Sequence, residues 1–263
     1  MKYMLIGDLH GLDINSGLED AVIAENPDVL ICTGDFDQAK TIRQFMELEE
    51  NLESRGKRVI KVPGNHDYSL LNHIGIDSGT FAKQGKSWFT LVEEMEKDKV
   101  AKNYLDNLVN SKDENFTTHK KAFFLDKDKF GEDYKTLVMH GAYDGDISSA
   151  EDSAPEEQDL WFRLSGKGDY EKNFKVMEEK GYKIMIRGHD HEPVYTYKDS
   201  EKGIVSYNPE QDGREYRLFK ERKHIINPGA LFDGWFAVIE TNDHGEDAPI
   251  LKYKKLRDNS IVF

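Results

Sequence analysis

The stretch YKIMIRGHDH, residues 182–191, contains the pattern from which the fold can be predicted. Apolar residues typical of a buried strand run to Ile186, and a glycine then leads to two histidines, His189 and His191. Four earlier stretches follow the same plan: KYMLIGD (2–8), DVLICTGD (28–35), KRVIKVPGNHD (57–67) and YKTLVMHG (134–141). Such apolar runs predict strands that are covered by helices on both faces of a sheet.

Helical spacing fills the intervals between these predicted strands. Phe45, Leu48 and Leu52 recur at the spacing of one helix face, and Gly56 follows them as a stop signal. The same spacing occurs in residues 101–108 and 170–177. Alternating strands and helices predict an α/β sheet. From about residue 204 onwards, short apolar runs separated by turns predict a second sheet.

The length of 263 residues is sufficient for a sizeable core. We predict a single domain over residues 1–263, in which the least patterned part, 68–133, is an insertion or cap. Some side chains of this segment could bind a base or a phosphate, although a solvated Lys-rich surface is the favoured explanation for each: Lys83, Lys86, Trp88 and the HKK stretch at 119–121.

Composition and charge exclude several classes of protein. A hydrophobic content of 38% with no long apolar run argues against a membrane protein, and the start of the chain does not resemble a signal peptide. The net charge of −14 argues against a non-specific nucleic-acid coat. The single cysteine, Cys32, lies in an apolar run and is expected to pack in the core. We therefore predict a cytoplasmic protein without a membrane partner.

Side chains that can bind metal ions stand at the ends of five predicted strands. They are Asp8 and His10, Asp35, Asn65 with His66 and Asp67, His140, and His189 with His191. Each group alone has a plain structural explanation, such as a helix cap, a tight turn or a buried histidine. Five groups in succession, each after a strand, favour a metal site at the carboxyl edge of a sheet. The remaining histidines lie in polar or loop-like contexts and receive no role: His73, His119, His224 and His244.

The donor types narrow the choice of metal. Carboxylate, amide and imidazole groups without a thiolate suit Mn²⁺, with Fe, Zn²⁺, Ni²⁺ or Co²⁺ as alternatives. The seven donors other than His66 and Asp67 exceed what one ion normally takes, so we predict two divalent ions. Two such ions can clamp a phosphoryl group and acidify a shared water. Asp35, the lone acid after what we expect to be a central strand, is the best candidate for the bridge.

The ordered set GDLHG, GD, GNHD, HG and GHDH resembles the calcineurin-like metallophosphoesterase superfamily. The later INPGA at 226–230 is similar to a turn of the compact archaeal and bacterial phosphodiesterase branch. The resemblance implies an α/β fold that is a four-layer αββα sandwich of two mixed β-sheets flanked by helices. It also implies the roles of the site residues. The first ion is held by Asp8, His10 and His191, the second ion by Asn65, His140 and His189, and Asp35 bridges the two ions. His66 is not a ligand in this arrangement but faces the substrate as the catalytic residue.

The sequence departs from the superfamily pattern in two places. Many phosphatase members carry an aspartate three residues after the bridging one, which orients the catalytic histidine, but this position is Gln38 here and the nearest acid is Asp37. We therefore expect Asp67 or the backbone to position His66. The Asp-Arg-Gly continuation of the Ser/Thr protein phosphatases is also missing, which argues against that activity.

The predicted function is a two-metal phosphoesterase that hydrolyses small phosphodiesters or nucleotides through a metal-activated hydroxide. The stretch DLWFRL at 159–164 favours a nucleotide-type pocket by loose similarity. A phosphomonoesterase or a dinucleoside polyphosphate hydrolase is the alternative enzyme. A non-catalytic scaffold is a third alternative, and it is opposed by the presence of all seven ligand positions.

Overall fold

A computed structural model describes residues 1–73, 86–117, 121–125, 134–146, 155–209, 214–241 and 248–256. The α-helices in these ranges are α1 (Leu18–Glu25), α2 (Ala39–Ser54), α3 (Asn65–Asn72), α4 (Trp88–Lys97), α5 (Lys99–Val109) and α6 (Lys167–Lys180). Within this part of the chain, every helix is too short or too polar to cross a membrane.

Two mixed β-sheets form the centre of the molecule. The part of the chain before residue 140 supplies β1 (Lys2–Ile6), β2 (Val29–Cys32), β3 (Arg58–Lys61), β4 (Phe116–Thr117), β5 (Ala122–Leu125) and β6 (Thr136–Val138). The second half supplies β7 (Ile184–Ile186), β8 (Val194–Asp199), β9 (Gly203–Tyr207), β10 (Glu215–Arg217), β11 (Lys223–Asn227), β12 (Trp235–Glu240) and β13 (Ile250–Lys255). The strand order is β10-β13-β12-β1-β2-β3 in the first sheet and β4-β5-β6-β7-β11-β8-β9 in the second.

The alternation of side chains along β1 explains how the layers stack. Leu5 belongs to the core cluster between the two sheets, whereas Met4 and Ile6 pack with Phe45 of α2 on the outer face of the first sheet. Helix α6 covers the outer face of the second sheet through Phe174 and its neighbours. Two sheets packed face to face between helical layers confirm the predicted four-layer sandwich.

The helices predicted from periodicity are confirmed. The spacing of Phe45, Leu48 and Leu52 places all three on the buried face of α2. Gly181 ends α6 in the left-handed conformation, with φ of 77°. These helices were predictable because the spacing of their apolar residues can be recognised within one or two helical turns of sequence.

Two expectations about the sheets are wrong. The strands after residue 204 do not form a sheet of their own, because β10, β12 and β13 join the first sheet and β9 and β11 join the second. The chain returns to β1, which pairs with β12 antiparallel and with β2 parallel. In addition, β2 lies beside the edge strand β3 and is not central.

The predicted cap, residues 68–133, contributes to the helical layer in its described parts. Leu91 of α4 and Leu105 of α5 belong to the same core cluster as Phe45 of α2. Lys86 contacts Gln38 and Glu94, and Lys121 is buried with its ammonium 3.0 Å from the carbonyl of Val109. The predictions for Lys83, His119 and Lys120 fall outside the described residues.

Four histidines received no role in the sequence analysis. The structure describes two of them, and these two differ in environment. His73 ends α3 and is paired with Glu96 at the surface. His224 is not in a loop but fully buried on β11, where its ring nitrogens contact the Tyr195 hydroxyl and the Phe219 carbonyl, each at 2.9 Å. His119 and His244 lie outside the described residues.

Candidate metal centre

The eight predicted site residues converge at one edge of the sandwich. They follow β1, β2 and β3 of the first sheet and β6 and β7 of the second. Within each sheet these strands run parallel, so their carboxyl ends lie together. The loops that follow these strands therefore bring side chains from both sheets together in one buried cluster.

The residues predicted for a first ion form a compact group. The Nε2 atoms of His10 and His191 lie 2.9 Å apart, and His191 Nε2 is 3.8 Å from Oδ1 of Asp8. Each of the three residues offers a ligand atom, and these atoms all lie within 4.8 Å of one another. Asp8 and His10 are buried, whereas the His191 side chain is 28% exposed, so the cluster reaches the surface at His191.

The residues predicted for a second ion are also in contact. Oδ1 of Asn65 lies 2.8 Å from Nε2 of His140, and the rings of His140 and His189 pack edge to face with centroids 5.1 Å apart. All three side chains are buried. An amide oxygen and two imidazoles thus lie within one cluster.

Asp35 lies between the two groups. Its Oδ2 atom is 3.7 Å from Nε2 of His10 and 3.4 Å from Nε2 of His140. The other oxygen, Oδ1, accepts the backbone N–H of His66 at 3.0 Å. One carboxylate oxygen therefore faces an imidazole of each predicted half.

Backbone and carboxylate oxygens fix the histidine rings. Nδ1 of His10 lies 2.9 Å from Asp37, Nδ1 of His140 lies 2.6 Å from the carbonyl of Thr33, and Nε2 of His189 lies 3.1 Å from the carbonyl of Trp161. In the neutral form of each ring, donation of the N–H to these acceptors leaves a lone pair on the opposite nitrogen. Metal-binding histidines are oriented in this way, so the residues fit divalent cations.

The charges of the cluster also favour a cation. Burial lowers the pKa of His140, but the negative charge of Asp35 and a hydrogen bond to it outweigh burial and raise the pKa to about 9. Burial alone would raise the pKa of Asp35, yet the imidazoles of His140 and His66 hold it well below its usual range. For His189 and His191, burial lowers the pKa, which favours the neutral ring that a metal ligand requires.

Left-handed backbone conformations are concentrated in this cluster. Of the nine non-glycine residues with positive φ in the described part of the chain, six lie here: Asp8, His10, Asp35, Asp37, His189 and His191. This conformation is uncommon for residues other than glycine and often marks functional sites. The sharp turns that it produces aim several side chains of one loop at the same point.

The glycines of the motifs make room for the carboxylates. A Cβ atom on Gly64 would lie 1.9 Å from Oδ1 of Asp35, and a Cβ on Gly188 would lie 2.9 Å from Oδ2 of Asp8. Both distances are too short for any side chain. The glycine of one motif thus allows the acid of another motif to approach.

Asp37 is a site residue that the sequence reasoning did not assign. Its Oδ1 lies 2.7 Å from Nδ1 of His66, and its Oδ2 lies 2.9 Å from Nδ1 of His10. These three residues also offer donor atoms within 4.8 Å of one another, but both oxygens of Asp37 face ring nitrogens at hydrogen-bond distance. The histidine–aspartate pair is therefore present, with the acid two residues after Asp35 instead of three. The only signal in the sequence was that Asp37 is the nearest acid.

The expectation that Asp67 or the backbone positions the ring of His66 is wrong, because Asp37 contacts that ring. The carboxylate of Asp67 accepts the backbone N–H groups of Asp35, Phe36 and Gly64, each at 2.9 Å. Burial, together with the negative charge of Asp35, raises the pKa of Asp67 to about 7. Asp67 thus ties the loop after β2 to the start of α3.

His66 is buried beside the proposed metal ligands. Burial lowers its pKa, but the negative charges of Asp37 and Asp35 outweigh burial and raise the pKa to about 9. The ring of His66 packs edge to face on that of His10, with centroids 4.8 Å apart. A histidine with this pKa is protonated near neutral pH.

The profile of the family described as calcineurin-like phosphoesterase matches residues 1–193. The chain belongs to the calcineurin-like phosphoesterase family. The matched region contains all eight predicted site residues. As a family member, this calcineurin-like phosphoesterase is a metal-dependent hydrolase of phosphate esters.

One solved structure supports the fold of this calcineurin-like phosphoesterase, and two others show a weaker likeness. A metallophosphoesterase from Sphaerobacter thermophilus is similar with a TM-score of 0.61 and 19% identity, over 98% of this chain and 90% of that chain. A predicted phosphoesterase from Streptococcus pneumoniae has a TM-score of 0.45 and 12% identity, over 99% and 92% of the chains. A dimetal phosphatase from Danio rerio has a TM-score of 0.43 and 13% identity, over 97% and 96%. No curated protein sequence matches the chain significantly.

Proposed function

We propose that this phosphoesterase binds two divalent ions, with Mn²⁺ as the preferred metal. Asp8, His10 and His191 hold the first ion, and Asn65, His140 and His189 hold the second. The observation that carries this proposal is the position of Asp35, whose Oδ2 is 3.7 Å from His10 Nε2 and 3.4 Å from His140 Nε2. A carboxylate between the two groups can serve both ions.

The protein side chains then divide the work of hydrolysis. When bound, the ions polarise the phosphate and acidify the attacking water. His66 protonates the oxygen of the leaving group. Its Nδ1 lies 2.7 Å from Asp37, so we assign the transferred proton to Nε2. Asp37 holds the ring in the orientation that this transfer needs.

We propose small phosphodiesters or nucleotides as the substrates. Tyr68, two residues after His66, packs against Trp161, whose carbonyl lies 3.1 Å from Nε2 of His189. The two aromatic rings lie beside the metal cluster and suit a nucleobase or a ribose.

Metal content tests the two-ion site. Metal-stripped protein titrated with Mn²⁺ should bind two ions per chain. Asp35→Asn should weaken both ions together, and His191→Ala should weaken mainly the first. Asp199→Asn is the control, because Asp199 pairs with Arg222 on another part of the protein. Saturation at one ion would contradict the proposal.

A substrate panel tests the specificity. The Mn²⁺-loaded protein should hydrolyse aryl phosphodiesters and nucleotide diesters faster than the corresponding monoesters. Faster turnover of monoesters would favour a phosphomonoesterase. Cleavage confined to the anhydride bonds of a dinucleoside polyphosphate would favour the second alternative.

A further inference from the structure

Arg187 is a cation buried beside the metal cluster. It is 1% exposed and is the largest fully buried side chain in the part of the protein that the structure describes. Its Nε donates to the carbonyl of Gly141 at 2.8 Å, its Nη2 donates to the carbonyl of Phe162 at 3.1 Å, and its Nη1 donates to the carboxylate of Asp190. Buried charges occur in proteins when they are hydrogen-bonded in this way. The guanidinium thus joins three separate segments of the chain.

Each partner of Arg187 is the neighbour of a group that sets the second half of the site. Gly141 follows His140, and Asp190 lies between His189 of the second half and His191 of the first half. Phe162 follows Trp161, whose carbonyl lies 3.1 Å from Nε2 of His189. A shift of the guanidinium would therefore move the backbone of one imidazole and the hydrogen-bond acceptor of the other.

The first half of the site has other supports. The ring of His10 is held by Asp37. The carbonyl of His191 accepts the backbone N–H of Ala230 at 2.9 Å. These contacts do not involve the guanidinium, and of its three partners Asp190 alone borders this half, so the first half should respond less than the second to the loss of Arg187.

We infer that Arg187 is a positioning residue for the second ion, an inference that rests on the two-ion function proposed above. It sets the orientation of His140 and His189 without being a ligand. The planar fork of arginine can donate to two carbonyls and a carboxylate at once, which one ammonium cannot do in the same geometry. Lysine at this position should therefore restore the site in part.

The test compares Arg187→Met, Arg187→Lys and the control Arg222→Met. Arg222 is a matched control because it also pairs with a carboxylate, that of Asp199, and packs over Tyr197 away from the cluster. Calorimetric titration of each metal-stripped protein with Mn²⁺ gives the affinity of both ions. Loss of a group that orients a metal ligand weakens binding about 10–100-fold, so this is the expected loss for the second ion in Arg187→Met.

The other expected results follow from the same geometry. In Arg187→Met the first ion should lose much less affinity than the second, Arg187→Lys should lie between wild type and Arg187→Met, and Arg222→Met should leave both affinities unchanged. Electron paramagnetic resonance gives an independent readout. Arg187→Met at moderate Mn²⁺ should show the signal of an isolated ion where the wild type shows that of a coupled pair.

Two results would overturn the inference: an unchanged second affinity in folded Arg187→Met, or equal weakening of both ions. If Arg187→Met does not fold, the affinities of Arg187→Lys for the first and the second ion decide whether the inference holds. A wild-type protein that binds one ion would overturn the proposed function itself, and this result is visible before any variant is made.

Discussion

At the scale of single residues, Asp37 links the two chemical roles of the site. One of its oxygens contacts a proposed ligand, His10, and the other contacts the proposed acid, His66. Burial opposes the charge of Asp37, but the imidazoles of His66 and His10 keep its pKa below the usual range. A single carboxylate therefore fixes the proton position on both rings.

Asp37→Asn should weaken the first ion and slow turnover together. The amide has one oxygen for two ring N–H groups, so at least one imidazole loses its acceptor. The expected loss is about 10–100-fold in metal affinity, with a further loss of turnover at saturating Mn²⁺. Calorimetry and steady-state kinetics on the same preparation measure the two effects, with Asp199→Asn as the control. Normal affinity with normal turnover would show that neither ring needs Asp37.

His66→Ala should keep both ions and lose catalysis in a way that depends on the leaving group. An alkyl or ribose oxygen needs a proton as it departs, whereas a nitrophenolate barely does. A general acid contributes about 10²–10⁴-fold, so alkyl esters should fall toward the upper end and nitrophenyl esters much less. Kinetics on both ester classes, with metal content measured on the same protein, give the answer.

Two other outcomes for His66→Ala would change its role. An equal loss on both ester classes would make His66 an electrostatic stabiliser. A lost ion would make it a ligand.

At the scale of elements, the turn between β3 and α3 depends on the absence of a side chain at Gly64. Gly64→Ala would place a Cβ 1.9 Å from the carboxylate of Asp35 and 2.7 Å from its backbone nitrogen. We expect a loss of about 1–3 kcal/mol in the free energy of unfolding, as for other overpacked positions, and weaker binding of both ions. Urea unfolding of the metal-stripped protein and Mn²⁺ titration measure these effects.

Gly168→Ala is the matched control for this substitution. Gly168 lies in the first turn of α6, and among the described residues a Cβ there would meet no atom beyond its own helical turn within 4 Å. Alanine should raise the free energy of unfolding by about 0.4–1 kcal/mol. Equal effects of both substitutions would show that the close approach at Gly64 has no energetic importance.

Local patterns were sufficient to predict the helices α2, α5 and α6 and the five strands that precede the candidate site, and to select eight residues that the fold brings together. The helix α2 follows from three apolar residues on one face, and His140 follows from its place after a buried strand. The sequence did not reveal which strands pair with one another. For example, β1 near the start of the chain pairs with β12 near its end. The role of Asp37 depends on its left-handed backbone, with φ of 64°, and no periodicity signals that conformation.

At the scale of the whole molecule, acid stability should depend on His224. Burial lowers its pKa to about 4 in the folded protein, whereas an unfolded histidine has a pKa of about 6.5. Between these values the unfolded chain binds more protons, so stability should fall as the pH drops through 6.5 and level off below about 4. The shift corresponds to about 3 kcal/mol.

His224→Gln should remove this part of the pH dependence. Glutamine does not titrate, and its amide can still donate toward the Phe219 carbonyl that contacts His224. Urea unfolding of metal-stripped wild type and variant between about pH 7 and pH 4 gives the two slopes. Since the remaining imidazoles titrate in both proteins, the difference between the slopes isolates His224. Identical slopes would assign the acid sensitivity to other groups.

The convergence of both sheets on one cluster has a consequence for the order of folding. The backbone N–H of His189 bonds the carboxylate of Asp8 across 181 residues of chain, so this contact requires both sheets to have met. The ions should therefore bind after the rate-limiting step of folding and stabilise the native state but not the transition state for folding. Stopped-flow measurements should show that Mn²⁺ slows unfolding and leaves the refolding rate unchanged. A refolding rate that rises with Mn²⁺ would place the cluster in the folding nucleus. If only the unfolding rate responds to Mn²⁺, the lifetime of the native state depends on the metal supply.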